Sequence, residues 1–326
     1  MPRVSVIVPL YNKAPYVKRA LESIASQSLT DFEVVVVDDG STDGGDEIVR
    51  HFPDPRLRFI HQQNAGPAAA RNWGLAHAIA PYVAFLDADD GWRPEFLENQ
   101  ASILDAHPEF ASASSGWVDL PQGVESGTVW SRRGVTEGIW RTSKETPARI
   151  FSSVHTYMHP CCLLVRADIM RSVGGFHEHG CRYAEDAIPL LRLIVNHAVY
   201  LHFQPLVELH RDASALSGNY TGARPVEPYL QYPELIRNEC PPSLLGLLDR
   251  FYAIRACKTA CMLSYWGEWR QARELVRRFV SHRDWNTPLF AAALAGSTPL
   301  GALLGEVLRT HPRIGKSVFP QSLANK

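Results

Sequence analysis

Apolar residues in the first hundred positions follow two alternating rhythms. Val4–Val8 is a short apolar run that ends at Pro9, and Ala14-Pro15 then opens a stretch with Val17, Leu21 and Ile24 at helical spacing. The same strand, loop and helix recur. Glu33–Val37 reads as a buried strand, Asp38-Asp39-Gly40-Ser41-Thr42-Asp43 as a polar loop, and Asp46–Phe52 as a helix. Leu57–His61 and Pro67–Ala78 give a third strand and helix. Tyr82–Leu86 gives a fourth strand, followed by Asp87-Ala88-Asp89-Asp90 and a helix from Pro94 to His107.

This alternation predicts an α/β fold: a mostly parallel sheet with right-handed crossovers and helices on both faces. Ligands of such sheets bind beyond the carboxyl ends of the strands, so the loops after strands one, two and four are candidates for one site. Further on, Gln122–Thr146 is rich in Gly, Ser and Arg with weak periodicity, and a mobile or irregular excursion is expected there before the sheet resumes. Cys162–Val165 reads as a returning strand, Arg166–Val173 as a short helix stopped by Gly174-Gly175, and Ala187–His197 as a helix. Val199–Phe203 and Pro205–Leu209 read as strands. Beyond about Pro225 the pattern turns helical, most clearly at Leu244–Leu263 and Glu268–Val280. The expected organisation is an α/β domain over 1–222 and a helical C-terminal region over 223–326.

With 45% of its 326 residues apolar and 21% charged, the chain can bury a sizeable core. The 33 Lys+Arg against 34 Asp+Glu leave no broad positive field, which argues against nucleic acid as a partner. The opening MPRVSVIVPLYN enters a strand directly, without a basic segment or a long apolar one, so a cytoplasmic N-terminus is expected. Six cysteines (Cys161, Cys162, Cys181, Cys240, Cys257, Cys261) form no CxxC pair and are expected to be reduced and mostly buried. Residues 285–305 carry no charge, but Pro288, Gly296, Pro299 and Gly301 interrupt them. The expectation is therefore helices packed on the α/β domain, paired between two chains as a homodimer, or in peripheral contact with a membrane, rather than a spanning helix.

Asp87, Asp89 and Asp90 crowd anionic oxygens into one turn, a pattern suited to a hard divalent cation such as Mn²⁺ or Mg²⁺ on a diphosphate. Taken singly, Asp89 or Asp90 could cap the next helix, the loop 38–43 could be a tight turn, and Asp186 could be a helix N-terminal carboxylate. Trp92, Trp117 and Trp140 are candidates for stacking on sugar rings, with core packing as the alternative. His210-Arg211, after a strand, could bring an imidazole to a metal or a guanidinium to a diphosphate.

In combination, VSVIVPLYN, VVVVDDGSTD, NAGPAAARNWGL, FLDADD and a later AED, in this order, resemble the family 2 glycosyltransferases. These are inverting enzymes that use nucleotide-diphosphate sugars on a GT-A type, Rossmann-like fold. The resemblance covers residues 3–215. It implies Pro9, Tyr11 and Asp39 around the nucleobase, with Asp39 facing a uracil imide, and Asn64, Gly66 and Arg71 near the nucleotide. It further implies Asp87 and Asp89 toward ribose and sugar, Asp89 and Asp90 at the metal with His210 as a third candidate ligand, and Asp186 as the catalytic base. The implied partners are a nucleotide-sugar donor, UDP-linked by family default, and a glycan or lipid-linked acceptor of bacterial surface-polysaccharide type. Absence of a Gln-x-x-Arg-Trp segment argues against a processive polymerase. Two alternatives stand beside this reading. A sugar-nucleotide nucleotidyltransferase would need a glycine-rich phosphate loop after strand one, where Pro9-Leu10-Tyr11-Asn12-Lys13 stands instead. A catalytically silent nucleotide-binding domain would not need both the metal carboxylates and Asp186.

Overall fold

The computed structural model describes residues 1–178, 183–213, 223–281, 288–298 and 300–301. Cys181 and parts of the uncharged 285–305 stretch lie outside the described residues. The chain divides into two compact units, one of residues 1–143, 153–214 and 239–241, the other of residues 144–152, 215–238 and 242–326.

The first unit is built on one mixed sheet. Strands β1 (Val4–Leu10), β2 (Phe32–Asp38), β3 (Leu57–His61) and β4 (Tyr82–Phe85) lie side by side in the order β3-β2-β1-β4 and pair in parallel. Val34–Val37 are all at most 2% exposed, so both faces of β2 are covered. Each such valine contributes about 1.5–3 kcal/mol relative to exposure. The covering helices are α1 (Ala14–Ala25), α2 (Gly45–Arg50) and α3 (Pro67–His77). Helix α3 lies so close to β1 that a Cβ on Gly74 would stand 2.4 Å from Ile7 Cγ2; only hydrogen fits there.

The second half of the unit adds β5 (Gly91–Trp92), α4 (Phe96–Ala106), β6 (Phe110–Leu120), β7 (Val124–Glu125), α5 (Ser126–Ser131) and β8 (Gly138–Trp140). After α6 (Ala148–Tyr157) come β9 (Leu163–Arg166), α7 (Ala167–Ser172), α8 (Ala187–Asn196) and β10 (Ala198–His210). The sheet order β3-β2-β1-β4-β9-β6-β10-β5 puts β9 antiparallel between β4 and β6, while β6 and β10 are parallel. The expected parallel sheet is therefore interrupted by the reversed β9, and the short β5, β7 and β8 also pair antiparallel.

Two local readings change. The strand-like pieces 199–203 and 205–209 are one thirteen-residue strand, β10, whose register slips between Leu201 and Val207 around Pro205. Proline cannot donate to the ladder, and a bulge absorbs it. The 122–146 excursion is partly regular, holding β7, α5 and β8. Gly174 and Gly175, with φ of 84° and 62°, stop α7 as expected.

The second unit is helical. Its central helix, Leu245–Tyr265, packs against Trp269–Phe279 and Pro288–Gly296. Glu227, 6% exposed, accepts from Arg255 Nη2 (2.8 Å) and Thr259 Oγ1 (2.7 Å), so a buried charge is paired and satisfied. Among the described residues no helix is long and apolar enough to cross a membrane.

Candidate active site

The loops after β1 and β2 are stitched together by short polar side chains. Asn12, held at φ 50°, accepts the Thr42 N–H (2.8 Å) through Oδ1 and donates its own N–H to Ser41 Oγ (3.1 Å). Asparagine tolerates this left-handed backbone better than most residues. Ala14 N–H donates to Asp43 Oδ2 (2.8 Å), and Asp39 N–H to the Leu10 carbonyl (2.8 Å). Pro9 lies opposite Val37 in the β1–β2 ladder, and the Tyr11 ring next to it is 49% exposed.

Asp39 is buried and already engaged. Its Oδ1 accepts from Gln62 Nε2 (2.7 Å) and Ala65 N (2.8 Å), and its Oδ2 from Gly66 N (2.9 Å). An ionised carboxylate has about four acceptor positions, so Oδ2 retains one. Asp39 thus organises the turn that carries Asn64, which is exposed, and Gly66, which at φ 95° precedes α3. Asp38 does the same one residue earlier, accepting Ser41 N–H (3.0 Å) and pairing with His61 Nδ1 (2.8 Å).

The carboxylate turn follows β4. Asp90 N–H closes it on the Asp87 carbonyl at 3.0 Å. Arg71, 5% exposed, sends Nη2 to Asp87 Oδ1 (2.6 Å) and Nη1 to Glu185 Oε1 (2.8 Å). Burial works to raise the Asp87 pKa, but the Arg71 guanidinium, His159 and the Cys161 hydrogen bond together hold the carboxyl below the ordinary range. Asp89 receives Lys13 Nζ at 2.5 Å, and its carbonyl receives Arg19 Nη2 at 2.5 Å. Burial and the neighbouring Asp87 nevertheless push Asp89 up. Asp90 goes furthest: burial, then Asp87 and Asp89, lift it well above the ordinary carboxylate value, against one N–H bond from His210 (2.8 Å).

A cation would relieve that strain. Ligand atoms of Asp87, Asp90 and Cys161 lie within 4.8 Å of one another. Cys161 Sγ accepts the Asp87 N–H (3.4 Å) and donates to Asp90 Oδ2 (3.7 Å), while burial and both carboxylates push its thiol far up. A protonated thiol is a poor partner for a hard ion, so the oxygens of Asp87 and Asp90 are the better donors. His210 adds a buried Nε2 with no partner among the described residues. The residues present fit an oxygen-preferring divalent cation.

Asp186 stands at the N-terminus of α8, half-buried, next to the Glu185 that Arg71 holds. Burial and the Glu185 charge push it up to about 7. Ala184, two residues earlier, has φ 54°, a costly backbone for a residue with a Cβ and a mark of a locally constrained turn. Through Arg71 the structure thus brings Asp87 and the Glu185-Asp186 pair into one network.

Other sequence candidates are engaged elsewhere. Arg211 Nε is bound to Asp119 Oδ1 (2.6 Å). Trp92 stacks on Phe96 (4.3 Å) and donates to the Cys161 carbonyl (2.7 Å), and Trp140 donates to Thr142 Oγ1 (3.2 Å). Trp117 is 6% exposed, within an aromatic cluster that includes Trp130 and Tyr157. Lys13, Arg19, Cys161 and Glu185 were not singled out by sequence reasoning. Only Glu185 carried a signal, as the acidic neighbour of Asp186.

Residues 5–174, just over half of the chain, match the family described as Glycosyl transferase family 2. The uncharacterized glycosyltransferase YibD of Escherichia coli K12 is 33% identical over 156 residues, 42% of this chain and 45% of that protein. The uncharacterized glycosyltransferase EpsJ of Bacillus subtilis 168 is 30% identical over 197 residues, 57% of this chain and 54% of that protein. The chain thus spans about half the length of these relatives. Among solved structures, residues 1–349 of Staphylococcus aureus TarS in complex with UDP-GlcNAc superpose with a TM-score of 0.70 at 22% identity, covering 95% of this chain and 92% of that one. A Pyrobaculum calidifontis mannosyltransferase, PcManGT, in complex with GDP-Man and Mn²⁺, gives 0.51 at 20% identity over 94% and 86% of the two chains. At these identities the likeness is one of fold. Asp39, Arg71 and the Asp87–Asp90 turn all lie inside the matched span, and the chain belongs to glycosyl transferase family 2.

Proposed function

We propose that this protein transfers a sugar, with inversion, from a nucleotide-diphosphate donor to a hydroxyl of a glycan or lipid-linked acceptor of bacterial surface-polysaccharide type. The carrying observation is the Arg71 bridge, which links Asp87 of the carboxylate turn to the residue beside Asp186. An in-line inverting transfer needs a base on one side of the anomeric carbon and charge neutralisation on the other. Asp186, with a pKa near 7, is suited to take the acceptor proton at neutral pH.

The exposed Tyr11 ring and Pro9 are offered to the nucleobase, with the remaining Oδ2 position of Asp39 for an imide N–H. Asn64, Gly66 and Arg71 would border the nucleotide, and Asp87 and Asp89 the ribose and sugar. Asp90 would hold Mn²⁺ or Mg²⁺ with Asp87, whose oxygen lies within 4.8 Å of its own, and with Asp89 and His210 as the further candidate ligands; the ion supplies charge neutralisation on the leaving diphosphate. A UDP-linked donor is supported by the TarS likeness. We assign this catalysis to residues 1–222. For the helical region, exposed Arg270, Arg273 and Arg277 at i, i+3 and i+7 support peripheral contact with the anionic inner leaflet, a reading that vesicle sedimentation tests.

The decisive experiment assays wild type, Asp90→Ala and Asp186→Asn against UDP-, GDP- and dTDP-sugars with Mn²⁺ or EDTA. Metal-dependent turnover lost in both variants, with nucleotide binding kept in Asp186→Asn, is expected. Absence of nucleotide binding by the wild type would sink the proposal.

A further inference from the structure

His159 sits between α6 and the 3₁₀ turn Pro160–Cys162, beside the carboxylate turn but in none of the roles above. Its Nδ1 accepts the Cys161 backbone N–H at 3.3 Å. Two residues further along, the Cys161 thiol is 3.7 Å from Asp90 Oδ2. A ring nitrogen that accepts carries no proton in the neutral imidazole, so the proton sits on Nε2. In the charged ring Nε2 carries one as well, so it is a donor in either state. Among the described residues the ring's hydrogen bond is the one at Nδ1, and His159 is half-buried, so Nε2–H is left to donate to a ligand.

The surroundings favour a neutral oxygen as its partner. Burial, assisted by the guanidinium groups of Arg211 and Arg71 against the pull of Asp87, brings the His159 pKa down to about 4. An uncharged N–H is a weak match for phosphate, which calls for guanidinium, ammonium or metal, and a good match for a hydroxyl or amide oxygen. The ring is also fixed in place. Its centroid lies 6.4 Å from that of Trp117, which packs on Tyr157 at 5.3 Å. Trp117 Nε1 is itself buried without an acceptor among the described residues. Two indole and imidazole N–H groups in one aromatic contact therefore lack partners.

We propose that His159 reads the transferred sugar, its Nε2–H donating to a hydroxyl or amide oxygen of the pyranose on the diphosphate, with Trp117 holding the imidazole edge. This rests on the glycosyltransferase reading above. His159 is bonded to the Cys161 backbone, and the Cys161 thiol in turn to Asp90, so two hydrogen bonds separate the imidazole from the carboxylate proposed to hold the metal on the diphosphate. His159 is then a specificity residue for the donor sugar, separate from the base and the metal carboxylates.

The test is calorimetric titration, with Mn²⁺, of UDP, GDP and dTDP, and of UDP-GlcNAc, UDP-glucose, GDP-mannose and dTDP-rhamnose, into wild type, His159→Ala and His159→Gln. For whichever nucleotide-sugar the wild type binds, His159→Ala is expected to weaken binding roughly two- to tenfold, the worth of one neutral hydrogen bond. The matching nucleoside diphosphate should bind unchanged, and His159→Gln, which keeps a donor near the Nε2 position, should recover the loss. Equal weakening for diphosphate and nucleotide-sugar, or no change for either, overturns the role of His159 while leaving the glycosyltransferase reading intact. A wild type that binds nucleoside diphosphates but no nucleotide-sugar overturns both.

Discussion

Arg71 and Glu185, 114 residues apart in sequence, are joined by a 2.8 Å ion pair whose guanidinium simultaneously holds Asp87 at 2.6 Å. The arginine side chain is 6% exposed, and Glu185 is 12% exposed. Removing the cation strands two carboxylates in a largely dry site. Arg71→Ala is expected to lower unfolding stability by about 3–5 kcal/mol, read as a drop in the urea midpoint. Arg71→Lys should recover only part of this, because an ammonium cannot present two parallel N–H groups to two carboxylates. A midpoint unchanged in Arg71→Ala would show that the bridge carries no weight.

The raised Asp186 pKa sets a pH dependence with a definite sign. Below about 7 the carboxyl is protonated and cannot accept, so kcat/KM should fall toward acid with an apparent pKa near 7. For stability the sign is opposite. The folded state holds the Asp186 proton more tightly than the unfolded chain, whose value is near the ordinary 3.8, so this contribution is full below that value and is lost as pH rises through about 7. Asp186→Asn should therefore abolish turnover yet raise the melting temperature more at pH 8 than at pH 4. An equal shift at both would contradict the assignment.

Metal binding should be coupled to protons through Asp90, whose pKa burial and two neighbouring aspartates lift well above the usual carboxylate value. The ion needs the deprotonated form. Mn²⁺ at a fixed concentration of about 100 times its Kd at pH 8 should stabilise the wild type by roughly 2.7 kcal/mol there, and by less at pH 6, where the Kd is weaker. Thermal scans of Asp90→Ala with and without Mn²⁺ should coincide.

The α3–β1 contact offers a prediction that is independent of catalysis. A Cβ on Gly74 would lie 2.4 Å from Ile7 Cγ2, and Ile7 is fully buried. Gly74→Ala should cost about 1–3 kcal/mol by overpacking. Ile7→Ala, which removes Cγ2, should cost less in that background than in wild type. Additive losses in this double-mutant cycle would mean that the backbone had moved instead.

Residues 1–107 were legible because valine-rich strands and amphipathic helices alternate with polar loops, and each loop fell at a strand's carboxyl end. Strand β6, central to the sheet, was not read at all. Its sequence FASASSGWVDL has one β-branched residue in eleven, and its only alternation, Ala111 to Ser114, is between small residues of little contrast. Its pairing with β9 and β10 is imposed by the tertiary fold. The carboxylates of the site were visible as a pattern. The cations that tune them, Lys13, Arg19 and Arg71, were not read as such, since their partners are 16 to 114 residues away. Cys161 and His159 gave no signal, because a lone cysteine or histidine in an apolar stretch is most often packing.

Strand β9 is four residues long, yet it is the joint between the two halves of the sheet, lying between β4 and β6. During synthesis, β4 at residues 82–85 and β6 at 110–120 emerge well before β9 at 163–166. Until then each presents a bare edge of unsatisfied N–H and C=O groups, open to pairing with another nascent chain. A ribosome that stalls between residues 120 and 163 would leave a fragment open at the edge of β4 and on both sides of β6. Chaperone demand should therefore peak in that window and fall once the closing strand has inserted.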